Sequence, residues 1–265
     1  MNTEELERSN DALEIAGMLS LALGQSSVMP LRPKDETLLA GMEAFEFGAG
    51  RVAWSVGSGP IVLLVHGYSG RGVQMAALAL EVSKNGFRAV FFDAGGHGAS
   101  RVEKIGFFTF INDTRDIVEH LRLPLFAMIG HSAGGLAMMR ARELFGISAE
   151  RYALISAPFY PYVPLESMLG RGAPSAALPY VKAILADQFR TNWSTLVKGV
   201  AYAPDASKPL LAIYDRADER VRHSDAEKLG ALWPEISIVK TEGYGHNRIL
   251  QADESLEAVS NFLTA

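Results

Sequence analysis

The stretch LFAMIGHSAGGLAMMRARELF, residues 125–145, runs from an apolar segment through a glycine-flanked serine into a helical pattern. Leu125–Ile129 has the length and composition of a strand buried on both faces. Leu136 to Phe145 repeats apolar residues at helical spacing. Between them lies Gly130-His131-Ser132-Ala133-Gly134-Gly135, a strand-to-helix turn so sharp that the residues two before and two after the serine must be small. Such a turn holds a serine in a strained conformation with its hydroxyl exposed, in front of a helix N-terminus that supplies positive potential. Ser132 is therefore the candidate nucleophile.

Outward from this turn the same alternation recurs. Apolar runs at Ile61–Val65, Arg88–Phe92, Tyr152–Ile155, Leu210–Tyr214 and Ile236–Val239 are likewise the right length for strands buried on both faces, and amphipathic stretches separate them. Met75, Leu78, Ala79 and Val82 mark one helix face, which Gly86 closes. Phe110, Ile117, Val118 and Leu121 mark a second, and Leu256, Val259, Phe262 and Leu263 the last. Strands alternating with helices predict an α/β fold with a mostly parallel sheet covered on both faces. Before it, Ala44–Phe47 and Arg51–Ser55 flank the turn FGAG, and VGSGP leads into Ile61. These predict two successive hairpins and antiparallel strands at one edge.

Two segments break the pattern. Residues 1–38 hold one predicted helix, about Thr3 to Leu23, whose Leu13, Ile15, Ala16, Met18, Leu19, Ala22 and Leu23 exceed one narrow stripe. It is expected to pack on the core, on the cap or on a second copy, making a homo-oligomer. Residues 158–204 interrupt the alternation with PFYPYVP and then helical spacing at Leu178, Val181 and Leu185. This predicts a small helical cap inserted in a core of residues 39–157 and 205–265.

Bulk composition narrows the chemistry. The chain has 265 residues and a net charge of −5, with no basic run, so nucleic acid is a poor partner and a small-molecule substrate the better one. There is no cysteine, which excludes disulfides, thiolate metal sites and a Cys nucleophile. The N-terminus lacks the basic start and apolar core of a secretory signal, and no apolar run approaches the roughly 18 to 20 residues of a membrane span. The expectation is a soluble, cytoplasmic protein without membrane insertion.

A serine nucleophile needs a base and an orienting acid. His246, in EGYGHN after the last predicted strand, lies where a C-terminal-edge loop would carry a base. The segment YDRADERV (214–221) offers Asp215, Asp218 and Glu219 as acids; Asp218 is favoured over an Asp215 close to the strand end, though spacing alone leaves the choice open. The oxyanion hole requires two N–H donors, for which the backbones of Ala133, at the turn, and Tyr68, in the loop after Ile61–Val65, are the candidates. His66 in that loop is read as structural. Among aromatic residues, Tyr68, Phe159 and Trp193 are the candidates for contacting substrate. Most aromatics of the insertion, Tyr160, Tyr162 and Phe189 included, are expected to pack it onto the core instead.

With these pieces in view, residues 43–265 resemble the α/β-hydrolase superfamily, in its serine esterase or lipase-like members. The resemblance rests on GSGPIVLLVHGYSG (57–70), AVFFDAGGHGAS (89–100), GHSAGG (130–135), DRADERV (215–221) and GYGH (243–246), in the order Ser, Asp, His. It implies the α/β-hydrolase fold, places Asp218 at the acid position, makes 96–100 a structural turn without a catalytic role for His97, and implies no metal and no organic cofactor. Asp215 departs from the family, where glycine is common.

The resulting expectation is a serine hydrolase that cleaves an ester, thioester or amide of a small to medium hydrophobic substrate through an acyl-serine. Carbon–carbon bond hydrolysis or cofactor-free perhydrolysis on the same triad are alternatives within enzymes, and a non-enzymatic ligand-binding protein of the same fold is another. A dinucleotide-binding oxidoreductase is a rival, because the two topologies share their opening. Gly67, Gly70 and Gly72 follow a strand and Asp93 ends the next, but the pattern is G-x-x-G-x-G and no Tyr-x-x-x-Lys pair occurs.

Overall fold

The computed structural model describes residues 31–102, 105–205 and 207–265, together with Glu14 and Gly17. The helix predicted over 3–23 lies outside these, save that Glu14 and Gly17 are helical and exposed. A helix that the sequence reading did not anticipate, α1 (Pro33–Leu39), carries Pro at its start and a buried Asp35, which pairs with Arg32 at 2.7 Å and with Arg71 at 3.6 Å. The Asp35–Arg71 pair ties the segment before the sheet to the loop that carries Arg71.

Eight strands form one sheet. They are β1 (Glu43–Phe47), β2 (Arg51–Val56), β3 (Ile61–Val65), β4 (Arg88–Phe92), β5 (Leu125–His131), β6 (Ala149–Ile155), β7 (Leu210–Asp215) and β8 (Ile236–Thr241), in the order β1-β2-β4-β3-β5-β6-β7-β8. From β4 to β8 every pairing is parallel, whereas β1–β2 and β2–β4 are antiparallel. β8 is not buried on both faces as its apolar run suggested, because it closes the edge of the sheet and leaves Ile238 exposed. The second hairpin expected from VGSGP does not form. β2 pairs with β4 instead of β3, because the β3–helix–β4 crossover sets β4 between them.

Why β3 must be central is plain from its residues. Ile61, Leu63 and Val65 enter the core on one face and Val62 and Leu64 the core on the other, so all five residues are buried. Helices α3 (Phe107–Leu121), α4 (Ser132–Phe145) and α8 (Asp225–Leu232) cover the first face through Phe110, Leu136 and Leu229. On the second face, α2 (Ala76–Lys84) and α10 (Asp253–Thr264) pack through Leu78 and Val259. Between β6 and β7 the chain forms α5 (Val163–Gly170), α6 (Leu178–Gln188) and the single turn α7 (Trp193–Leu196). After β8 a further turn, α9 (Gly245–Arg248), precedes α10.

The 158–204 segment is held down by polar bonds with buried partners. The buried Asp225 accepts from the Phe159 amide at 3.0 Å and the Tyr162 hydroxyl at 2.8 Å. From α4 the Arg140 guanidinium donates to the carbonyls of Phe189 and Arg190 at 2.7 and 3.1 Å, while within the segment the Tyr202 hydroxyl closes its two ends by donating to the Pro158 carbonyl at 2.6 Å. No helix among the described residues is long and apolar enough to cross a membrane.

Candidate active site

The turn after β5 fixes Ser132 first. Its φ is +52°, a left-handed conformation that costs an ordinary residue of order 1–3 kcal/mol and persists only where the surroundings impose it. Here they do. A side chain at Gly134 would run into the His66 carbonyl, and one at Gly67 would press on the Cβ of Ser132, so both glycines let the β3 loop lie against the turn. In that loop Ser69 is also left-handed, at φ +59°.

Two loops at the same sheet edge converge on Ser132. The His246 Nδ1 lies 2.8 Å from Asp218 Oδ2, and Nε2 lies 2.9 Å from Ser132 Oγ. A carboxylate can only accept, so Nδ1 carries the proton and Nε2 is the acceptor facing the serine hydroxyl. The Asp218 side chain is wholly buried. Burial opposes its ionisation, but the hydrogen bond and charge of His246 and the amides of Val221 and Arg220 outweigh this and hold its carboxyl below the usual range. Of the three acids on that loop, Asp218 alone meets the imidazole.

Asp215, read as too close to the strand end to act, is buried and organises both loops. Its carboxylate accepts from the amides of Ala217, Tyr244 and Gly245 at 2.9, 3.1 and 2.9 Å, and from the Thr241 hydroxyl at 2.7 Å. Against burial, the Thr241 hydroxyl and the three amides keep it below the ordinary carboxylate range. One acidic side chain thus clamps the acid loop to the loop that delivers His246. The departure from glycine at this position signalled it.

His131 is a second residue that the sequence reading passed over. Its Nε2–H donates to the His246 carbonyl at 2.8 Å, which leaves Nδ1 bare and without a partner. Burial and the neighbouring His246 push its pKa down to about 3, so it stays neutral beside the His246 ring. His66 is structural, as read. Its Nδ1–H donates to the Gly67 carbonyl at 2.7 Å, its Nε2 accepts from the Ala94 amide at 3.0 Å, and burial keeps it uncharged. His97 packs edge-on against Tyr68 and Phe110.

A cavity of about 460 Å³ opens over the serine. Ser132, Ala133, Tyr68 and His246 line it, so both residues assigned as oxyanion donors border the space where a reacting carbonyl would sit. Its apolar wall comes from Ile105 and Phe107 before and at the start of α3, and from Val163, Val181, Ile184 and Leu185 of the insertion. Burial raises the Tyr68 hydroxyl to about 12, so it is protonated.

Two of the expected substrate contacts lie elsewhere. Phe159 does not line the cavity. It is 8% exposed and stacks on Tyr202 at 6.1 Å, drawn inward because its amide is tied to Asp225. Trp193 also misses it, packing edge-on against Tyr160 at 5.8 Å with Lys182 over its ring. Both aromatic rings serve packing, and shorter aliphatic residues of α5 and α6 form the wall.

Comparison with known proteins agrees with this architecture. A family model described as serine aminopeptidase, S33, matches residues 58–195, just over half of the chain, from the loop before β3 to α7. The protein named "Putative esterase/lipase" of Haemophilus influenzae is 24% identical over 239 residues, covering 77% of this chain and 83% of its own. The magnesium-chelatase 30 kDa subunit of Rhodobacter capsulatus is 29% identical over 138 residues. That match takes in 48% of this chain and 45% of the relative, so the chain spans less than half of that protein's length. Among solved structures, an esterase from Exiguobacterium antarcticum superposes with a TM-score of 0.63 over 84% of this chain and 99% of its own, at 16% identity, a likeness of fold. Fold, site geometry and family match converge: the chain belongs to the serine aminopeptidase S33 family of α/β hydrolases.

Proposed function

We propose that the protein is a serine carboxylesterase acting on small to medium, largely apolar acyl substrates through an acyl-serine intermediate. The observation that carries this is the continuous hydrogen-bonded line from Asp218 through His246 to Ser132, opening into a cavity walled by aliphatic residues.

In the first half-reaction, Ser132 Oγ attacks the substrate carbonyl while His246 Nε2 takes its proton. The amides of Ala133 and Tyr68 hold the oxyanion that develops. Collapse passes the proton from His246 to the departing alcohol and leaves an ester on Ser132. Water then gives its proton to His246, attacks the acyl carbon, and releases the acid with Ser132 restored. Asp218 stays ionised throughout and holds the imidazole in the tautomer that accepts.

The test is hydrolysis of 4-nitrophenyl esters from acetate to decanoate by the protein and by Ser132→Ala. The expected outcome is turnover that peaks at short or medium chains and falls by about 10⁴-fold or more in the variant. Equal rates in the two proteins would sink the proposal.

A further inference from the structure

Two arginines border the catalytic cavity, and no acidic side chain does so among the described residues. Arg171 follows the last residue of α5, and Arg220 stands on the acid loop. Both are exposed, and neither guanidinium has a hydrogen-bond or ion-pair partner among the described residues. The one rim acid nearby on α5, Glu166, is engaged by Arg222. This local balance inverts that of the whole chain, which has 30 acidic against 25 basic residues.

Arg220 is also fixed relative to the reacting atoms. Its amide donates to Asp218 Oδ1 at 2.8 Å, while Oδ2 of the same carboxylate holds His246. The main chain that carries this guanidinium is therefore clamped to the triad. Arg171 approaches the same space from the insertion, so the two cations come from different elements of the fold.

We infer that the substrate carries an anionic group, a carboxylate or a phosphate, which Arg171 and Arg220 take at the cavity mouth while its apolar part lies along the aliphatic wall. This rests on the esterase reading above and narrows it to charged esters or thioesters. Guanidinium suits the task, since its planar fork pairs with both anions. At an exposed rim each pair is screened and modest, so the preference is a ratio of about 5- to 20-fold, and it falls as salt rises.

The experiment compares kcat/KM for matched esters that differ only in charge. On the acyl side the pair is 4-nitrophenyl pentanoate and mono-4-nitrophenyl glutarate. On the leaving-group side it is the butyryl thioesters of N-acetylcysteamine and of coenzyme A. A wild-type preference for the charged member in either pair, halved or more by 0.5 M NaCl, supports the inference and locates the anion. The ratio is expected to fall towards one in Arg171→Gln/Arg220→Gln, to drop below one in Arg171→Glu/Arg220→Glu, and to persist in the double Lys variant. Turnover of the neutral esters with no charge preference in either pair would overturn the inference and leave the esterase reading standing, as would a preference unmoved by salt. No turnover of any ester, with no adduct from a fluorophosphonate on Ser132, would instead bring down the esterase reading and this inference with it.

Discussion

The floor and the roof of the cavity are built on different principles. The floor consists of the ends of β5, β7 and β8 with their loops, where side chains are fixed by buried hydrogen bonds: Asp218 to His246, Asp215 to three amides, His131 to the His246 carbonyl. The roof, α5 to α7, meets the cavity through aliphatic side chains of α5 and α6. The 158–204 segment is tied to the core at a few points, where Asp225 accepts from the Phe159 amide and the Tyr162 hydroxyl and Arg140 donates to the carbonyls of Phe189 and Arg190. Catalysis needs reacting groups held to a fraction of an ångström, which charged hydrogen bonds from rigid strand ends supply. Apolar contact is non-directional and tolerates substitution of similar volume. The floor should accordingly be intolerant of small chemical changes and the roof forgiving of large ones.

The largest effect is expected at the centre of the floor. Asp218→Asn keeps the shape of the side chain but removes the charge that fixes the accepting tautomer of His246. A fall in kcat of about 10²- to 10⁴-fold is expected, with KM changed far less. Steady-state kinetics on a short-chain ester would read this, and a fall confined to KM would break the contrast.

Asp215→Asn acts one layer out. It weakens the charged hydrogen bonds that set the His246 loop, so kcat should drop by about tenfold. A pH signature accompanies it. Because the folded carboxyl is held below its ordinary value, its ionisation stabilises the fold fully above the unfolded value of about 3.9, and that contribution is lost as pH falls through the lower folded value. The gap in Tm between wild type and variant should be widest at neutral pH and close below about pH 4. A gap independent of pH would show that the amide contacts do not depend on charge.

The smallest effect is expected at the roof. Trp193→Ala removes the largest aromatic ring of α7, yet that ring faces Tyr160 and not the cavity. Its kcat/KM on a short-chain ester should stay within about threefold of wild type. A change of tenfold or more would mean that α7 helps to shape the site.

The same contrast explains what the sequence disclosed. The sheet was legible because parallel strands buried on both faces must be continuously apolar, as Ile61–Val65 is, and because β-branched runs alternate with 3.6-period helices. The floor was legible because the proposed chemistry demands particular residue types at particular places: small residues around Ser132, and loops after strands for Asp218 and His246. Strand order was harder. Nothing local in VGSGP says that β2 will pass over β3 to pair with β4, since that follows from the handed crossover. The helix following Ser132 begins earlier than its apolar pattern because Gly134 and Gly135 carry no side chains to mark it. The roof was the least legible part. Phe159 and Trp193 were read by their size, and size says nothing about direction; the Asp225 carboxylate that turns Phe159 inward stands 66 residues away. Arg171 and Arg220 carry no local motif and acquire meaning only when the cavity brings them together.

Activation of Ser132 as a nucleophile by His246 can be tested without knowing the substrate. A fluorophosphonate carrying an ethoxy group should phosphonylate the folded protein once, and peptide mapping should place the adduct on Ser132. The first-order labelling rate should fall by about 100-fold or more in His246→Ala, with circular dichroism confirming that the variant is folded. An adduct on another residue, or an undiminished rate in the folded His246→Ala variant, would contradict the account.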